Sequence, residues 1–117
     1  MGSTHQGASI VVCKSSDAHV TTPEPGLTRR VGAYSGKLML IEHQMKKGWV
    51  GERHSHPHEQ LVYVVTGHIR GKVGAQTFEA REGDSFVVVG GMEHEVTALA
   101  DSVIVDVFTP ARDEYLG

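Results

Sequence analysis

Short apolar runs separated by glycine-containing turns dominate the chain. In residues 61–65 and 102–108, β-branched and aromatic side chains alternate with polar ones or form brief continuous runs. Both patterns are typical of β-strands, and few stretches show the spacing of an amphipathic helix. The chain also contains 14 glycines, which suit tight turns between short strands. The pattern therefore predicts an all-β fold that closes into a barrel or a sandwich.

The first half of the chain is predicted to contain an isolated strand followed by a hairpin. A β-branched run forms the first strand, either at a sheet edge or as an arm that reaches a neighbouring subunit. Ser35-Gly36 suits a tight hairpin turn between the next two strands. The predicted segments are a disordered terminus at residues 1–7, a strand at 8–13, a loop at 15–26, and strands at 29–34 and 37–45.

The second half is predicted to contain a further hairpin and three more strands. Glycine-rich turns separate them, and the chain should leave the sheet at Pro110 in a tail over residues 110–117, with a short helical segment. In the last strand, Asp106 shares a face with two apolar residues, so it either meets a partner in a cavity or is an exposed edge charge. The predicted strands are residues 67–74, 76–80, 85–89, 94–98 and 102–108.

Length and charge exclude several classes of function. A chain of 117 residues is expected to be one domain over residues 1–117 that buries about two thirds of its unfolded surface. The formal charge is -3 and the basic residues are scattered, so nucleic acid is not expected as a partner. No apolar run approaches the ~20 residues of a membrane span. Cys13 has no partner for a disulfide and the amino terminus lacks a signal-peptide pattern, so a cytoplasmic protein is expected.

The chemistry of the sequence is concentrated in residues 48–67. If residues 54–56 are extended, the side chains of His54 and His56 point the same way, with Cα atoms about 6.5 Å apart. Two imidazoles in this arrangement can bind one metal ion. Pro57 should bend the chain, which returns the amide oxygen of Gln60 toward the same point. His94 follows a strand and a glycine turn and is the best candidate for a third histidine ligand.

Other residues of this region allow less specific interpretations. A solvated histidine tract, as in an expression tag, would not lead directly into the strand at residues 61–65. The orientation of His58 is ambiguous. We interpret His43 as a structural or exposed residue rather than a ligand, and Trp49 as a core or rim aromatic whose N–H finds a partner.

Two motifs in these segments resemble those of the cupin superfamily. The residues that match the first motif are Gly48, His54, His56, Gln60 and Gly67, and those that match the second are Gly83, Val89, Gly91, His94 and Ala98. Gln60 replaces the usual glutamate, while Val89 and Ala98 replace a proline and an asparagine that do not bind metal. The resemblance implies an all-β, cupin-type double-stranded β-helix (jelly-roll) barrel with one metal site inside.

A narrower resemblance is to the pectin-degradation cupins. It is carried by residues 54–60, His-Ser-His-Pro-His-Glu-Gln, and by residues 105–115, Val-Asp-Val-Phe-Thr-Pro-Ala-Arg-Asp-Glu-Tyr. Those enzymes linearise the ring-unsaturated uronates that pectate and alginate lyases release. The resemblance implies one divalent metal ion bound by His54, His56, Gln60 and His94. It also implies a small-molecule substrate in a pocket lined by Asp106 and Phe108.

The donor types bear on the chemistry of such a site. Neutral imidazole and amide ligands leave a divalent ion nearly its full charge, and they suit zinc, nickel, iron, copper or manganese, so the metal is not identified. We hypothesise a non-redox ring opening in which Asp106 moves a proton and Phe108 forms an apolar wall. Arg112 is the first candidate to bind the substrate carboxylate, ahead of Arg53 and Arg70.

Two other functions fit the same motifs. One is an iron-dependent dioxygenase, which needs a redox metal and a free coordination position. The other is a non-catalytic module that binds a sugar or a metal. In either case, the apolar side chains of Leu61, Tyr63 and Val65 lie opposite the predicted ligand face, and a barrel exterior of this kind predicts a homodimer.

Overall fold

The fold consists almost entirely of β-strands. The computed structural model describes residues 4–6 and 9–116, which contain eleven strands and two short 3₁₀ helices, Ser15–Asp17 and Asp113–Tyr115. No helix in these residues is long and apolar enough to cross a membrane. The strands are β1 (Thr4–Gln6), β2 (Ile10–Val12), β3 (His19–Glu24), β4 (Leu27–Tyr34), β5 (Met39–Met45), β6 (Glu59–Thr66), β7 (His68–Val73), β8 (Gln76–Arg81), β9 (Ser85–Val88), β10 (His94–Ala98) and β11 (Ser102–Thr109).

Antiparallel pairing joins these strands into two main sheets. The larger sheet has the order β3-β4-β5-β11-β6-β9, and the smaller has the order β10-β7-β8. The strands β1 and β2 pair separately as a hairpin. In the larger sheet, β11 lies between β5 and β6, which are far from it in sequence. This crossover belongs to a jelly-roll barrel, so the predicted all-β jelly-roll class is confirmed.

The alternation of side chains along β5 and β11 explains why these strands lie at the centre of the sheet. Every second residue of β5, from Met39 to Met45, is buried, while the residues between are exposed or half-buried. In β11, Ile104, Asp106 and Phe108 share one face, as the sequence predicted, and all three are buried. One face of each strand therefore lines the barrel interior.

The interior contains two apolar clusters with polar residues between them. Along β11, Ile104 belongs to the first cluster and Phe108 to the second, with Asp106 between. β4 and β5 repeat this order, with Arg29 and His43 between the two clusters. We call the four inward residues Arg29, His43, Asp106 and Gln60 the polar stripe. The first cluster contains Leu27, Met45, Val62, Val64, Ile69, Ala80, Ala98 and Ile104, and the second contains Val31, Met39, Ile41, Phe108 and Ala111.

The amino-terminal third differs from the sequence prediction. Residues 15–26 were predicted to be a loop, which is wrong for His19–Glu24, because this segment forms β3 and pairs with β4. Pro23 is tolerated because β3 is an edge strand, where a missing N–H breaks no interior ladder, and the register shifts between Thr21 and Glu24. The predicted strand at residues 8–13 is present as β2. Of the predicted disordered segment, residues 1–3 and 7 lie outside the described residues, and Thr4–Gln6 pairs with β2.

The other predicted elements are present with small shifts at their ends. β4 and β5 form the hairpin around Ser35-Gly36, where the Ser35 hydroxyl accepts hydrogen bonds from the backbone N–H groups of Lys37 and Leu38. β7 and β8 form the second hairpin. After Pro110 the chain leaves the sheet and forms the short helix Asp113–Tyr115. In this tail, Ala111 belongs to the second apolar cluster and Tyr115 packs against it.

Candidate metal centre

The loop before β6 supplies two of the three candidate histidine ligands. Residues 54–56, which the sequence analysis considered as extended, lie outside the named strands, and His54 forms an isolated antiparallel bridge with His94. Backbone hydrogen bonds fix this segment instead. His54 and His94 exchange two of them, with N···O distances of 3.1 and 2.8 Å, and the N–H of Gly91 donates to the carbonyl of His56 at 2.8 Å. Gly91 has a φ of 86°, which suits glycine at this turn.

Three imidazoles meet at this point. The candidate ligand atoms of His54, His56 and His94 all lie within 4.8 Å of one another. The ring centroid of His94 is 4.4 Å from that of His54 and 4.7 Å from that of His56. The loop and β10 therefore bring together residues that are about 40 positions apart in the sequence, a distance that no local pattern spans.

Backbone carbonyl groups determine which ring nitrogen of each histidine faces the centre. The Nδ1 atoms of His54, His56 and His94 lie 2.9, 3.0 and 2.9 Å from the carbonyl oxygens of Glu52, His58 and Met92, respectively. A carbonyl oxygen only accepts, so each Nδ1 carries the hydrogen and donates it. In the neutral ring, Nε2 then presents a free lone pair. This is the arrangement found in metal-binding histidines, whose second nitrogen is held by an outer partner.

The surroundings also favour the neutral form of two of these rings. Burial lowers the pKa of His56 below its usual 6.5, and the positive charge of Arg112 and the neighbouring His94 lower it further. Burial is the largest cause that lowers the pKa of His94, and it outweighs the hydrogen bond to the Met92 carbonyl, which raises it. Both side chains are therefore uncharged at neutral pH, the form that binds metals.

Gln60 adds an oxygen to the three nitrogens. Its Nε2 donates to Oδ1 of Asp106 at 2.7 Å, which turns its Oε1 toward the histidines, 3.1 Å from Nε2 of His56. Both of these facing atoms are acceptors. Nε2 of His94 is buried and has no hydrogen-bond partner. A cluster of acceptor atoms without a proton between them fits a cation, and three imidazole nitrogens with one oxygen suit a divalent transition metal or zinc.

Asp106 lies behind Gln60 and belongs to a longer chain of hydrogen bonds. It is only 1% exposed, and its Oδ2 is 2.6 Å from Nδ1 of His43. Nε2 of His43 in turn accepts from Nε of Arg29 at 3.0 Å. His43 was predicted to be structural or exposed, and no pattern in the sequence connects it with Asp106 or Arg29. Its position among the buried residues of β5 was the signal that could have placed it in the interior.

Phe108 and Arg112 lie next to the three imidazoles. Phe108 is buried in the second apolar cluster, and its ring meets that of His56 edge-on at a centroid distance of 5.7 Å. Arg112 is also buried, and its guanidinium carbon lies 5.2 Å from the centroid of the Phe108 ring. Nε and Nη2 of Arg112 donate to Glu114 at 2.9 and 2.7 Å. Both residues are thus close enough to a bound small molecule at the centre to shape its environment.

The tail adds an aromatic residue that the sequence analysis missed. The ring of Tyr115 lies between two guanidinium groups, 3.8 Å from Arg29 and 4.4 Å from Arg112. It also meets the Phe108 ring at 5.9 Å. Burial raises the pKa of the Tyr115 hydroxyl above its usual value, so the ring stays neutral between the two cations and stabilises them through its π face.

The remaining candidates lie at the margins of the centre. The ring of His58 is 5.5 Å from that of His56, but His58 is not part of the three-histidine group. Trp49 packs beside the first apolar cluster and donates its Nε1–H to Glu24 at 2.7 Å, as the sequence predicted. Arg53 pairs with Glu93 and Glu95, and Arg70 is exposed.

Two clefts elsewhere on the surface lack the chemistry of the three histidines. A cleft of about 410 Å³ is lined by residues of β3, β4, β5 and β11, and one of about 500 Å³ lies between β2 and the larger sheet. Neither is lined by any of the three histidines. Convergent donor atoms rather than volume identify a metal site, so we place the candidate centre at the histidines.

The chain is similar to known proteins over most of its length. It is 30% identical over 93 residues to the pectin degradation protein KdgF of Dickeya dadantii, which corresponds to 78% of this chain and 84% of that one. The structure of KdgF from a Halomonas species matches with a TM-score of 0.82 and 31% identity, covering 87% of this chain and 94% of that chain.

A second solved structure supports the same fold. An RmlC-like cupin from Shewanella frigidimarina matches with a TM-score of 0.86 and 25% identity, covering 98% of this chain and 99% of that chain. The family profile described as Cupin domain matches residues 41–108, which include the candidate centre. On these grounds the chain belongs to the cupin family.

Proposed function

We propose that this protein is a metal-dependent enzyme that opens the ring of unsaturated uronates. The observation that carries the proposal is a neutral set of four donor atoms beside a buried carboxylate, in a chain similar to a pectin degradation protein over 78% of its length. The proposed ligands are His54, His56, Gln60 and His94. A divalent ion bound there would act as a Lewis acid toward oxygen atoms of the substrate.

The residues next to the centre have chemical properties that suit a uronate. In our proposal, Arg112 binds the substrate carboxylate, because a guanidinium group can present two parallel N–H donors and its Nη1 makes neither of the bonds to Glu114. Phe108 forms the apolar wall beside His56. The positive charge of Arg112 remains close to the site because the tail holds it against the Tyr115 ring.

Asp106 is proposed to move the proton. Opening the ring breaks the bond between the anomeric carbon and the ring oxygen, and converts the anomeric hydroxyl to an aldehyde. Asp106 accepts the hydroxyl proton and returns it to the carbon atom of the enolate that the ring opening leaves, which becomes a ketone, so the reaction gains and loses no atoms. The hydrogen bond from His43 stabilises the charged carboxylate while it is free of this proton.

The proposal is tested with the protein reconstituted separately with zinc, nickel, manganese and ferrous iron. The substrate is a ring-unsaturated uronate prepared by lyase digestion of pectin or alginate, and the measurement is the loss of the ultraviolet absorbance of its double bond. We expect turnover with at least one metal. We expect Asp106→Ala to keep its metal and lose turnover, and unchanged turnover would remove Asp106 from the mechanism.

The same experiment separates the two alternative functions. Metal-dependent oxygen consumption with the iron-loaded protein would support a dioxygenase, which the proposed ring opening does not need. Binding of uronates or simple sugars without turnover would support a non-catalytic module. Absence of turnover with all four metals would contradict the proposed reaction.

We also propose that the protein forms a homodimer through the outer face of the larger sheet. The pairing registers place an outward apolar residue at the same level on four adjacent strands: Leu40, Val107, Leu61 and Val87. The ion pair between Arg30 and Glu42 lies beside this row, with a distance of 3.6 Å. An uncharged centre with both signs of charge at its rim suits a second copy of the same surface, which two-fold symmetry brings opposite to it.

A further inference from the structure

We propose that Arg29 and His43 are positioning residues that determine which end of the Gln60 amide faces the metal. The inference rests on the proposed metal site but not on the proposed reaction. Arg29, His43, Asp106 and Gln60 lie on four adjacent strands and form one continuous chain of hydrogen bonds. Each step of this chain allows only one direction of donation, so the orientation chosen at one end is imposed at the other.

Arg29 fixes the first step. A guanidinium group has only donors and stays charged at any pH in use, so Nε2 of His43, 3.0 Å from Nε of Arg29, has to accept. The two residues face each other in the pairing of β4 and β5. The Tyr115 ring, 3.8 Å from the guanidinium carbon, holds Arg29 in this position.

His43 transmits the direction to Asp106. With Nε2 as an acceptor, the ring carries its hydrogen on Nδ1, and this atom is 2.6 Å from Oδ2 of Asp106. The opposite tautomer, and the doubly protonated ring, would each bring an N–H of His43 against the N–H of Arg29. The ring is therefore neutral, and it donates to Asp106.

Asp106 transmits the direction to Gln60. A carboxylate only accepts, and its second oxygen, Oδ1, is 2.7 Å from Nε2 of Gln60. An amide group has one donor end and one acceptor end. Since the donor end is bound to Asp106, the acceptor Oε1 has to face the histidines, where it lies 3.1 Å from Nε2 of His56. Arg29, at the opposite end of the polar stripe, therefore determines that Oε1 of Gln60 is the atom that would bind a cation.

This chain gives a physical reason for the glutamine at position 60, where the first motif has a glutamate. A glutamate here would bring a second acceptor-only group against Oδ1 of Asp106, with no hydrogen between them. In a low-dielectric interior, two adjacent negative charges repel each other strongly. Residues 60 and 106 are therefore a matched pair, with an amide facing the metal and a carboxylate behind it.

The decisive test compares two substitutions of Asp106. In Asp106→Asn, the asparagine oxygen has to accept from His43, so its NH₂ group faces Gln60, which then turns its own NH₂ group toward the metal. Alanine imposes no direction and leaves Gln60 free to keep its oxygen on the metal. We expect D106N to weaken zinc binding by ~10- to 100-fold, and D106A to weaken it by less than ~10-fold. Equilibrium dialysis with zinc measures both, and thermal melts of the metal-free proteins check that both fold.

Two rescue variants address the ends of the chain. In Q60E/D106N, the asparagine NH₂ donates to the new glutamate, whose other oxygen faces the metal, so zinc binding should recover to within ~10-fold of wild type. In R29M/D106N, His43 is free to change tautomer, so D106N should no longer weaken zinc binding relative to R29M. Arg30→Met is the matched control, because Arg30 faces Ser15 and Glu42 on the outer side, and R30M/D106N should bind zinc as poorly as D106N.

A readout without metal completes the test. The ¹⁵N chemical shifts of the His43 ring distinguish its two tautomers, and we expect the Nδ1–H form in wild type and a mixture in R29M. The inference is overturned if D106N binds zinc as tightly as D106A, if Q60E/D106N is no better than D106N, or if R29M leaves the tautomer unchanged. Zinc binding that follows the expected order without any uronate turnover supports the inference and overturns only the proposed reaction.

Discussion

Each face of the larger sheet carries one group of residues that is unusual for its surroundings, a polar stripe inside and an apolar row outside. Its inner face carries the polar stripe Arg29, His43, Asp106 and Gln60 between two apolar clusters, while β5, β11, β6 and β9 carry aliphatic residues on the outer face. Leu61 is 44% exposed and Val87 is 54% exposed, whereas Asp106 is 1% exposed. A sheet with one solvated face normally has apolar residues inside and polar residues outside.

The residues on each face depend on what that face contacts. A buried polar group without a partner costs about 1–3 kcal/mol, but each member of the stripe has hydrogen-bond partners, and the chain ends at the candidate metal centre. The two apolar clusters on either side of the stripe supply the hydrophobic contacts that hold it in place. Leu40, Leu61 and Val87 of the outer row are exposed, and the homodimer proposed above would cover them.

The largest effect is expected from removing one of the three histidines of the candidate metal centre, which lies at the Gln60 end of the polar stripe. In His94→Ala, one of three convergent imidazoles is lost while the backbone hydrogen bonds to His54 can remain. We expect zinc affinity to fall by more than the ~100-fold that is typical for the loss of an outer partner of a ligand. Metal content after dialysis, measured by mass spectrometry, checks this result.

The matched control for this substitution is His19→Ala. His19 is exposed on the edge strand β3 and is not part of the three-histidine group. The His19→Ala variant should therefore retain as much metal as the wild-type protein. Equal metal content in both variants would mean that the stripe ends at something other than a metal centre.

An intermediate effect is expected on the outer face. Leu61→Lys places a charge in the middle of the apolar row, and in a two-fold dimer the change occurs twice. We expect the dissociation constant of the dimer to rise at least ~tenfold, which corresponds to a loss of about 1.4 kcal/mol. Light scattering across a dilution series measures this change. Thr77→Lys on the exposed side of β8 adds the same charge to the smaller sheet and should leave the dimer intact.

The smallest effect is expected from pH in the metal-free protein. The pKa values of His56 and His94 are lowered from 6.5 in the folded state, so below pH 6.5 the unfolded chain binds more protons than the folded one. The free energy of unfolding should therefore fall as the pH falls below 6.5, until the folded state also takes up these protons. Urea unfolding from roughly pH 7 to pH 5.5 measures the slope.

A variant separates this contribution from that of other groups. In His56→Ala/His94→Ala, the two lowered pKa values are absent, so the stability should depend less on pH over the same range. A slope as steep as that of wild type would assign the pH dependence to other residues.

Periodicity in the sequence was sufficient for the features that depend on a single strand. The alternation in residues 102–108 correctly placed Ile104, Asp106 and Phe108 on one face, although it left open whether that face points inward. The spacing of residues 61–65 correctly placed Leu61, Tyr63 and Val65 opposite the ligand face. These inferences succeeded because strand geometry alone decides the direction of alternate side chains.

Features that depend on pairing between distant strands could not be predicted. The contact between His43 and Asp106 exists because β11 lies beside β5, an order that no local pattern encodes. His54 and His56 do converge with His94, but through backbone bonds to β10 rather than through the strand that the sequence suggested. β3 was missed because Pro23 and the nearby Pro25 are typical of loops, and only the edge position of β3 makes Pro23 acceptable.

The paired backbone hydrogen bonds between His54 and His94 have a consequence for the timing of metal uptake. They join the segment that holds two candidate ligands to the strand that holds the third. The conformational entropy of this segment is therefore lost during folding, before any metal ion binds. The arrangement is preorganised. A metal ion that bound there would displace water and meet side chains already in place, so most of the energy of coordination would contribute to affinity.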